Sequence, residues 1–259
     1  MEFATPPNPP DTPPVRSPAP PASTAPPTAR RDSRQRRAAT LAGLTLLALL
    51  VWPAEAVLLL RFIDPPCTMV MLYQSAGRFL DGGSPGWHHA NLPRNRVSRY
   101  LYQAIVAAED QRFFDHHGFD FVEIGKAREK HERRPKRPLR GASTLTQQTA
   151  KNLFLPPWRS FIRKGVEAYF TLLMELLWPK ERILEMYANI VEFAPGVYGA
   201  QAAARYHFHK DASRLTPQEA ALLAAVLPNP KRWSASRPTP YIRQRAAWIL
   251  GQMAPLPGE

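Results

Sequence analysis

The chain has 259 residues, a formal net charge of +13 and one cysteine, Cys67. That length allows one large or two small domains, and the single thiol excludes an intrachain disulfide and any thiolate metal cluster. The charge calls for a polyanionic partner, either nucleic acid or a membrane surface with anionic headgroups.

Residues 1–37 are mostly Pro, Ala, Ser, Thr and Arg, with Phe3 the one aromatic. Such a segment buries too little apolar surface to offset its ordering entropy, so a disordered cytoplasmic tail is expected. Residues 38–60 read AATLAGLTLLALLVWPAEAVLLL, which meets the roughly 20 apolar residues a bilayer-spanning helix needs. Pro53 and Glu55 weaken the run, but both lie toward its distal end, where an interfacial position tolerates them. Arg30, Arg31, Arg34, Arg36 and Arg37 precede it and Arg61 alone follows closely, which keeps the N-terminus cytoplasmic. A cleaved signal peptide is the rival, with Pro53-Ala54-Glu55-Ala56 as a faint processing site. The basic tail and the apolar continuation through Leu60 favour an uncleaved anchor. Given an anchor, the positive charge is assigned to a membrane and not to nucleic acid.

Residues 61–96 read as a membrane-proximal connection, broken at Gly82-Gly83, Pro85-Gly86 and Pro93. Residues 97–259 read as one domain. Val97, Leu101, Ile105 and Ala108 recur at helical intervals and bring Glu109 to a final turn. Residues 126–140 are basic and proline-broken, the pattern of a mobile exposed loop. Thr144-Leu-Thr-Gln147 is a capping box that opens a helix ending at Pro156-Pro157. Further helices are expected over 159–178, burying Val166, Phe170, Leu173 and Leu177, and over 181–189. Thr216-Pro217-Gln-Glu219 and Thr239-Pro240 open the last two. No strand-like alternation and no internal repeat is present, so the fold class is mainly α.

Three clusters carry chemistry. Glu109 and Asp110 stand at the end of an apolar helix, followed by Phe113, His116 and Gly118. An adjacent acid and an apolar wall both raise a carboxyl pKa, which suits a general base or acid, although a surface acid pair paired with Arg112 is the plainer alternative. His116 reads as a packed histidine before a metal ligand, because no second liganding histidine sits at helical spacing, and Phe113 reads as a packing residue. In the second cluster Thr144, Gln148 and Lys151 share a helix face, flanked by Ser143 and Asn152. A hydroxyl, an amide and an ammonium in one line suit an anionic or sugar-like ligand, against a solvated face as the alternative. In the third, Arg163 and Glu167 stand one turn apart. They form either a plain helix ion pair worth ~0.3–0.5 kcal/mol or a phosphate-neutralising arginine beside a second site carboxylate.

These strings, in this order, resemble the glycosyltransferase family that polymerises bacterial peptidoglycan from lipid II, over most of the chain after Pro65. The family pattern Glu-Asp-x-x-Phe-x-x-His-x-Gly falls on Glu109, Asp110, Phe113, His116 and Gly118. Gly-x-Ser-Thr-x-Thr-Gln-Gln-x-x-Lys-Asn falls on Gly141 through Asn152, and Arg-Lys-x-x-Glu on Arg163, Lys164 and Glu167. A fourth motif is matched over 182–189 and continued over 199–206. Ala188 stands where leucine is usual and Ala194 where glycine is frequent, which touches a loop and not the chemistry. The chain ends at Glu259 without a penicillin-binding transpeptidase domain, so the resemblance implies the monofunctional subgroup, anchored in the inner membrane of a Gram-negative bacterium with its catalytic domain periplasmic.

The resemblance implies a lysozyme-like α-helical glycosyltransferase domain with a small mobile lobe near the membrane. It implies Glu109 as the base on the acceptor 4-hydroxyl of lipid II, and the lipid-linked glycan strand as donor. Lys151 and Arg163 would stabilise the departing pyrophosphate, with Ser143, Thr144, Gln148 and Asn152 binding substrate and Asp110, Phe113 and His116 supporting the site. Glu167 would be the second catalytic carboxylate, either orienting those cations or holding a divalent ion, Mg²⁺ or Mn²⁺; no organic cofactor is implied. Cell-division or cell-wall synthesis proteins are left open as partners. A lytic glycosidase of lysozyme type also needs two carboxylates but leaves Lys151 and Arg163 without work. A non-catalytic, membrane-anchored basic binding module leaves Glu109 without any.

Overall fold

A computed structural model describes Met1 and residues 28–133, 143–158 and 160–258. Most of the expected disordered tail, the end of the expected basic loop and Gly141 of the second motif lie outside the described residues. Met1–Leu49 and Leu50–Glu259 are two separate compact units. Among the described residues ten α-helices dominate: α1 (Thr28–Leu60), α2 (Met69–Leu80), α3 (Arg99–Glu109), α4 (Phe121–Arg133), α5 (Leu145–Phe154), α6 (Phe161–Leu177), α7 (Lys180–Ile190), α8 (Ala200–Phe208), α9 (Pro217–Val226) and α10 (Pro240–Gln252). The mainly α expectation is met.

The core is organised around α3. Leu101, Ala104 and Ile105 on α3 are fully buried, and the helix packs against α7, α9 and α10. α9 has the sequence PQEAALLAAV, with Ala220, Ala221, Ala224 and Ala225 all buried. A helix apolar all round belongs in an interior, and its short side chains let α3 and α10 approach it closely. α5 lies against α2, α6 and α7. Both expected capping boxes form: Thr144 caps α5 with Gln147, and Thr216 caps α9 with Glu219. Each cap satisfies backbone N–H groups that a first turn leaves without partners.

Four expectations need correction. The region 61–96 is not merely a connection, because it holds α2, capped by Thr68. Residues 126–133 are the end of α4 and not a loop. A three-stranded sheet is present, in which β1 (His88–His89) runs parallel to β3 (Val197–Tyr198) and β2 (Glu192–Ala194) runs antiparallel to it. Strands of two or three residues are too short to show a period of two. Finally, the inner face of α6 is rotated from the expected one: Phe170 is buried and Leu173 and Leu177 pack partly buried against the core as expected, but Val166 is exposed. Glu167, Phe170, Thr171 and Met174 are buried, whereas Phe161 is 99% exposed, Ile162 83% and Leu176 80%.

Among the described residues no helix is long and apolar enough to cross a membrane. The side chains of Leu46, Leu49 and Leu50, inside the expected span, are outside the described set. The last turn of that span belongs to the domain: Val57 is fully buried, and the Trp178 indole donates to its carbonyl at 2.7 Å. Arg182 donates to Leu60 O at 2.8 Å, and Arg61 to Leu177 O at 2.6 Å.

Candidate active site

Glu109 is the final residue of α3, where the apolar helix delivers its side chain to the edge of the core. Oε2 accepts a hydrogen bond from Gln148 Nε2 at 3.0 Å, and Oε1 lies 3.8 Å from an Arg245 guanidinium nitrogen on α10. Burial pushes the carboxyl above its usual range and Asp110 adds to that, while Gln148, Arg245 and Lys151 oppose it. Residues of α3 and the following loop, with Ser143, Thr144, Glu123, Lys126 and Trp248, line an open cleft of about 260 Å³ on which Glu109 borders.

Asp110 also borders the cleft, but its oxygens are held by the fold. It is buried, it accepts from Leu145 N–H at 2.9 Å, and both its oxygens lie within 3.1 Å of His116 Nε2. It therefore ties the loop after α3 to the start of α5. Phe113 is buried, with the His116 ring at its edge and the Lys180 ammonium 4.5 Å from its centroid. Lys180 also pairs with Glu175 at 2.9 Å, and Glu175 accepts from Thr146 at 2.5 Å. Gly118 has a φ of +83°, and a Cβ there would stand 2.7 Å from Thr171 Cγ2. Only glycine lets this loop pass so close to α6. Asp110, Phe113 and His116 thus hold the loop after α3 in the packing between α3, α5 and Lys180.

On α5 the expected residues separate by task. The Thr144 hydroxyl accepts from Gln147 N–H and donates to Gly118 O at 2.7 Å. It borders the cleft, but its hydrogen-bonding capacity is spent on the fold. Gln148 contacts Glu109 directly. Ser143 is exposed at the cleft, and Asn152 is partly buried a turn beyond Gln148. Among the described residues the Lys151 ammonium makes no hydrogen bond or ion pair. Burial holds its pKa below the ordinary lysine value, Glu167 and Glu109 oppose that, and Arg163 and Lys164 add to it. One ammonium therefore feels both carboxylates.

Glu167 is buried on α6 and clamped by two cations of its own helix, Arg163 at 2.7 Å on Oε2 and Lys164 at 2.5 Å on Oε1. A divalent ion at Glu167 would have to displace two positive groups, so these residues do not fit one. A second group, Asp110, His116 and Asp120, holds possible ligand atoms within 4.8 Å of one another. Asp110 is engaged with His116 Nε2 and Leu145, and Asp120 Oδ1 with Arg112 and two backbone N–H groups opening α4, while His116 Nδ1 and Asp120 Oδ2 have no hydrogen-bond partner among the described residues. Sequence reasoning gave neither Arg245 nor Tyr187 a role in the site, although Tyr187 lies in the fourth motif; its hydroxyl donates to Gln148 Oε1 at 3.2 Å. For Arg245 the signal is tertiary.

The transglycosylase family model matches residues 83–254. The chain is 53% identical over 226 residues to a biosynthetic peptidoglycan transglycosylase of Aeromonas hydrophila, covering 87% of this chain and 94% of that one. It is 52% identical to the Pseudomonas aeruginosa protein of the same name, covering 78% and 87%. It is 50% identical to that of Xanthomonas campestris, covering 86% and 92%. With Glu109, Lys151, Arg163 and Glu167 all inside the matched span, the chain belongs to the transglycosylase family.

Proposed function

We propose that this protein polymerises peptidoglycan glycan strands, transferring the lipid-linked growing strand onto the 4-hydroxyl of lipid II with release of undecaprenyl pyrophosphate. The observation that carries this reading is Lys151, a half-buried cation that feels both Glu109 and the cation-clamped Glu167. Glu109 accepts the acceptor's proton as its oxygen attacks the donor's anomeric carbon, and the bond from that carbon to pyrophosphate breaks. Lys151 and Arg163 are positioned, already held by the fold, to face the charge that builds on the leaving group. Glu167 holds Arg163 and Lys164 in place; no step is routed through a divalent ion. The relatives named above as biosynthetic peptidoglycan transglycosylases support the substrate class. Purified protein with labelled lipid II in detergent should yield polymer. Cleavage of purified cell-wall glycan instead, without polymer from lipid II, would establish the lytic alternative.

The protein works, in this reading, at the outer face of a bacterial inner membrane, with residues 38–60 as its anchor and a lysozyme-like helical domain beyond it. Two features support a lipid surface. The outer side of α6 presents Phe161, Ile162, Leu172 and Leu176 uncovered, and α2 adds Leu72, Tyr73 and Leu80, with Trp158 edge-on to Tyr73 at 6.0 Å. Large apolar patches with aromatic residues mark membrane or protein contacts. A reporter fused after Glu259 should be active only if it is one that works in the periplasm. A cytoplasmic signal would overturn this placement.

A further inference from the structure

Tyr187, on α7, is fully buried and has not been given a task in the chemistry. A buried hydroxyl needs an acceptor, and here it donates to Gln148 Oε1 at 3.2 Å. Burial pushes its pKa well above the ordinary tyrosine value, with the nearby Glu109 charge adding to that, so the phenol stays a donor. An amide carries its carbonyl and its NH₂ on opposite corners of one plane. With Oε1 turned to Tyr187, the NH₂ must face Glu109, where it donates to Oε2 at 3.0 Å. Were the amide turned over, its carbonyl oxygen would meet Oε2, an arrangement tolerated only if Glu109 already carried a proton.

We infer that Tyr187 is a positioning residue of the reaction, which acts through Gln148 to keep Oε2 of Glu109 capped and leave Oε1 as the oxygen that takes the substrate proton. Oε1 has Arg245 at 3.8 Å, beyond hydrogen-bonding distance, and is open to a new donor. The proton passes from the acceptor hydroxyl to Oε1 as the new carbon–oxygen bond forms. The charged groups acting on Glu109 are Arg245 from α10, Lys151 from α5 and Asp110 beside it. α9, also packed on α3, has Glu219 as its one charged residue, and that is paired with Lys210 at 2.7 Å. Gln148 is the neutral donor among these partners, so it alone can be reversed without changing the charge of the site.

The inference rests on Glu109 being the base, and its test is separable from that reading. The full chain, labelled with ¹³C at glutamate carboxyls, is titrated by NMR, the Glu109 signal being assigned by its loss in Glu109→Gln. Tyr187→Phe keeps the ring and removes the hydroxyl. It should fold, and because the Gln148 bond lowers the Glu109 pKa, its loosening should move that titration to higher pH. The acid limb of kcat/KM with lipid II should move the same way, with kcat reduced roughly three- to tenfold, the range of one neutral hydrogen bond, and KM unchanged. In a Gln148→Leu background the same exchange should add nothing to either titration. An unmoved Glu109 titration in Tyr187→Phe, or an equal shift in the Gln148→Leu background, would overturn the inference. A wild-type protein that fails to polymerise lipid II would overturn the function, while the carboxyl titration still decides the role of Tyr187.

Discussion

Glu109 and Glu167 are the same residue type, both largely withdrawn from solvent, and they are held in opposite ways. Glu167 has a cation on each oxygen, at 2.7 and 2.5 Å. Glu109 has an amide on one oxygen and no cation within 3.5 Å of the other. A carboxylate with a cation on each oxygen is placed to organise those cations, whereas one whose pKa is raised by burial, with an oxygen free of close cations, is suited to take a proton. Lys151, between them, is the point where the two environments meet.

The largest expected effect breaks the Glu109 side. Glu109→Gln keeps the shape but cannot accept a proton, and polymerisation of lipid II should fall by about 10²–10⁴-fold while lipid II binding persists. If Asp110→Asn shows that loss and Glu109→Gln does not, the base has been assigned to the wrong acid.

The cations come next. Lys151→Ala and Arg163→Ala should each lower polymerisation by about 10²–10³-fold, the range for removal of a preorganised charge-stabilising group. Their stabilities should differ. Arg163→Ala leaves buried Glu167 with one partner and should cost about 1–3 kcal/mol, whereas Lys151→Ala removes an ammonium with no ion pair among the described residues and should cost little. Equal melting temperatures for the two variants would show that Arg163 is not what holds Glu167.

Glu175 tests whether a carboxylate outside the chemistry is neutral to change. It accepts from Thr146 and Lys180, so Glu175→Gln should cost about 1–3 kcal/mol with polymerisation per folded molecule unchanged. Exposed Glu132, paired among the described residues with Arg128, should tolerate Gln without a measurable change in Tm. A melting temperature for Glu175→Gln equal to that of Glu132→Gln would make the Thr146–Glu175–Lys180 bonds incidental.

The smallest effect sharpens the comparison by its sign. A folded-state pKa raised above the unfolded value of about 4.3 makes the contribution of Glu109 to stability fully present below that value and lost as pH rises through the folded pKa. Glu109→Gln should therefore melt above the wild type at neutral pH, and the two should converge in acid. A gap that widens on acidification would mean that Glu109 is stabilised as its anion.

What was legible in the sequence is what neighbouring residues decide. The caps at Thr144 and Thr216 need only a hydroxyl and an acid or amide three positions on. The motif residues Glu109, Lys151, Arg163 and Glu167 could be named in order. α2 stayed hidden because only Met71 and Ser75 are buried on it, so its apolar residues mark no core-facing stripe. The inner face of α6 was read in part, Phe170, Leu173 and Leu177 but not Val166, because periodicity selects apolar residues and does not see Glu167 and Thr171 turning inward. Thr144 was read as a ligand because its hydroxyl stands in a polar run; that the same hydroxyl also caps α5 and bonds Gly118 O is set by the fold. Arg245 and Tyr187 reach the base only through folding, although Tyr187 lies in the fourth motif.

The hydrogen bonds that join the end of α1 to α6 and α7 decide where this chain can be cut. Val57 fills the interior, and Trp178, Arg182 and Arg61 close their bonds across that junction. A fragment beginning at Arg61 would leave the Trp178 N–H unpaired over an emptied pocket, and large-to-small losses in a core cost several kcal/mol. A fragment beginning near Leu50 keeps the junction whole. The shorter fragment looks cleaner on paper, but the longer one is the piece that should remain folded in a tube.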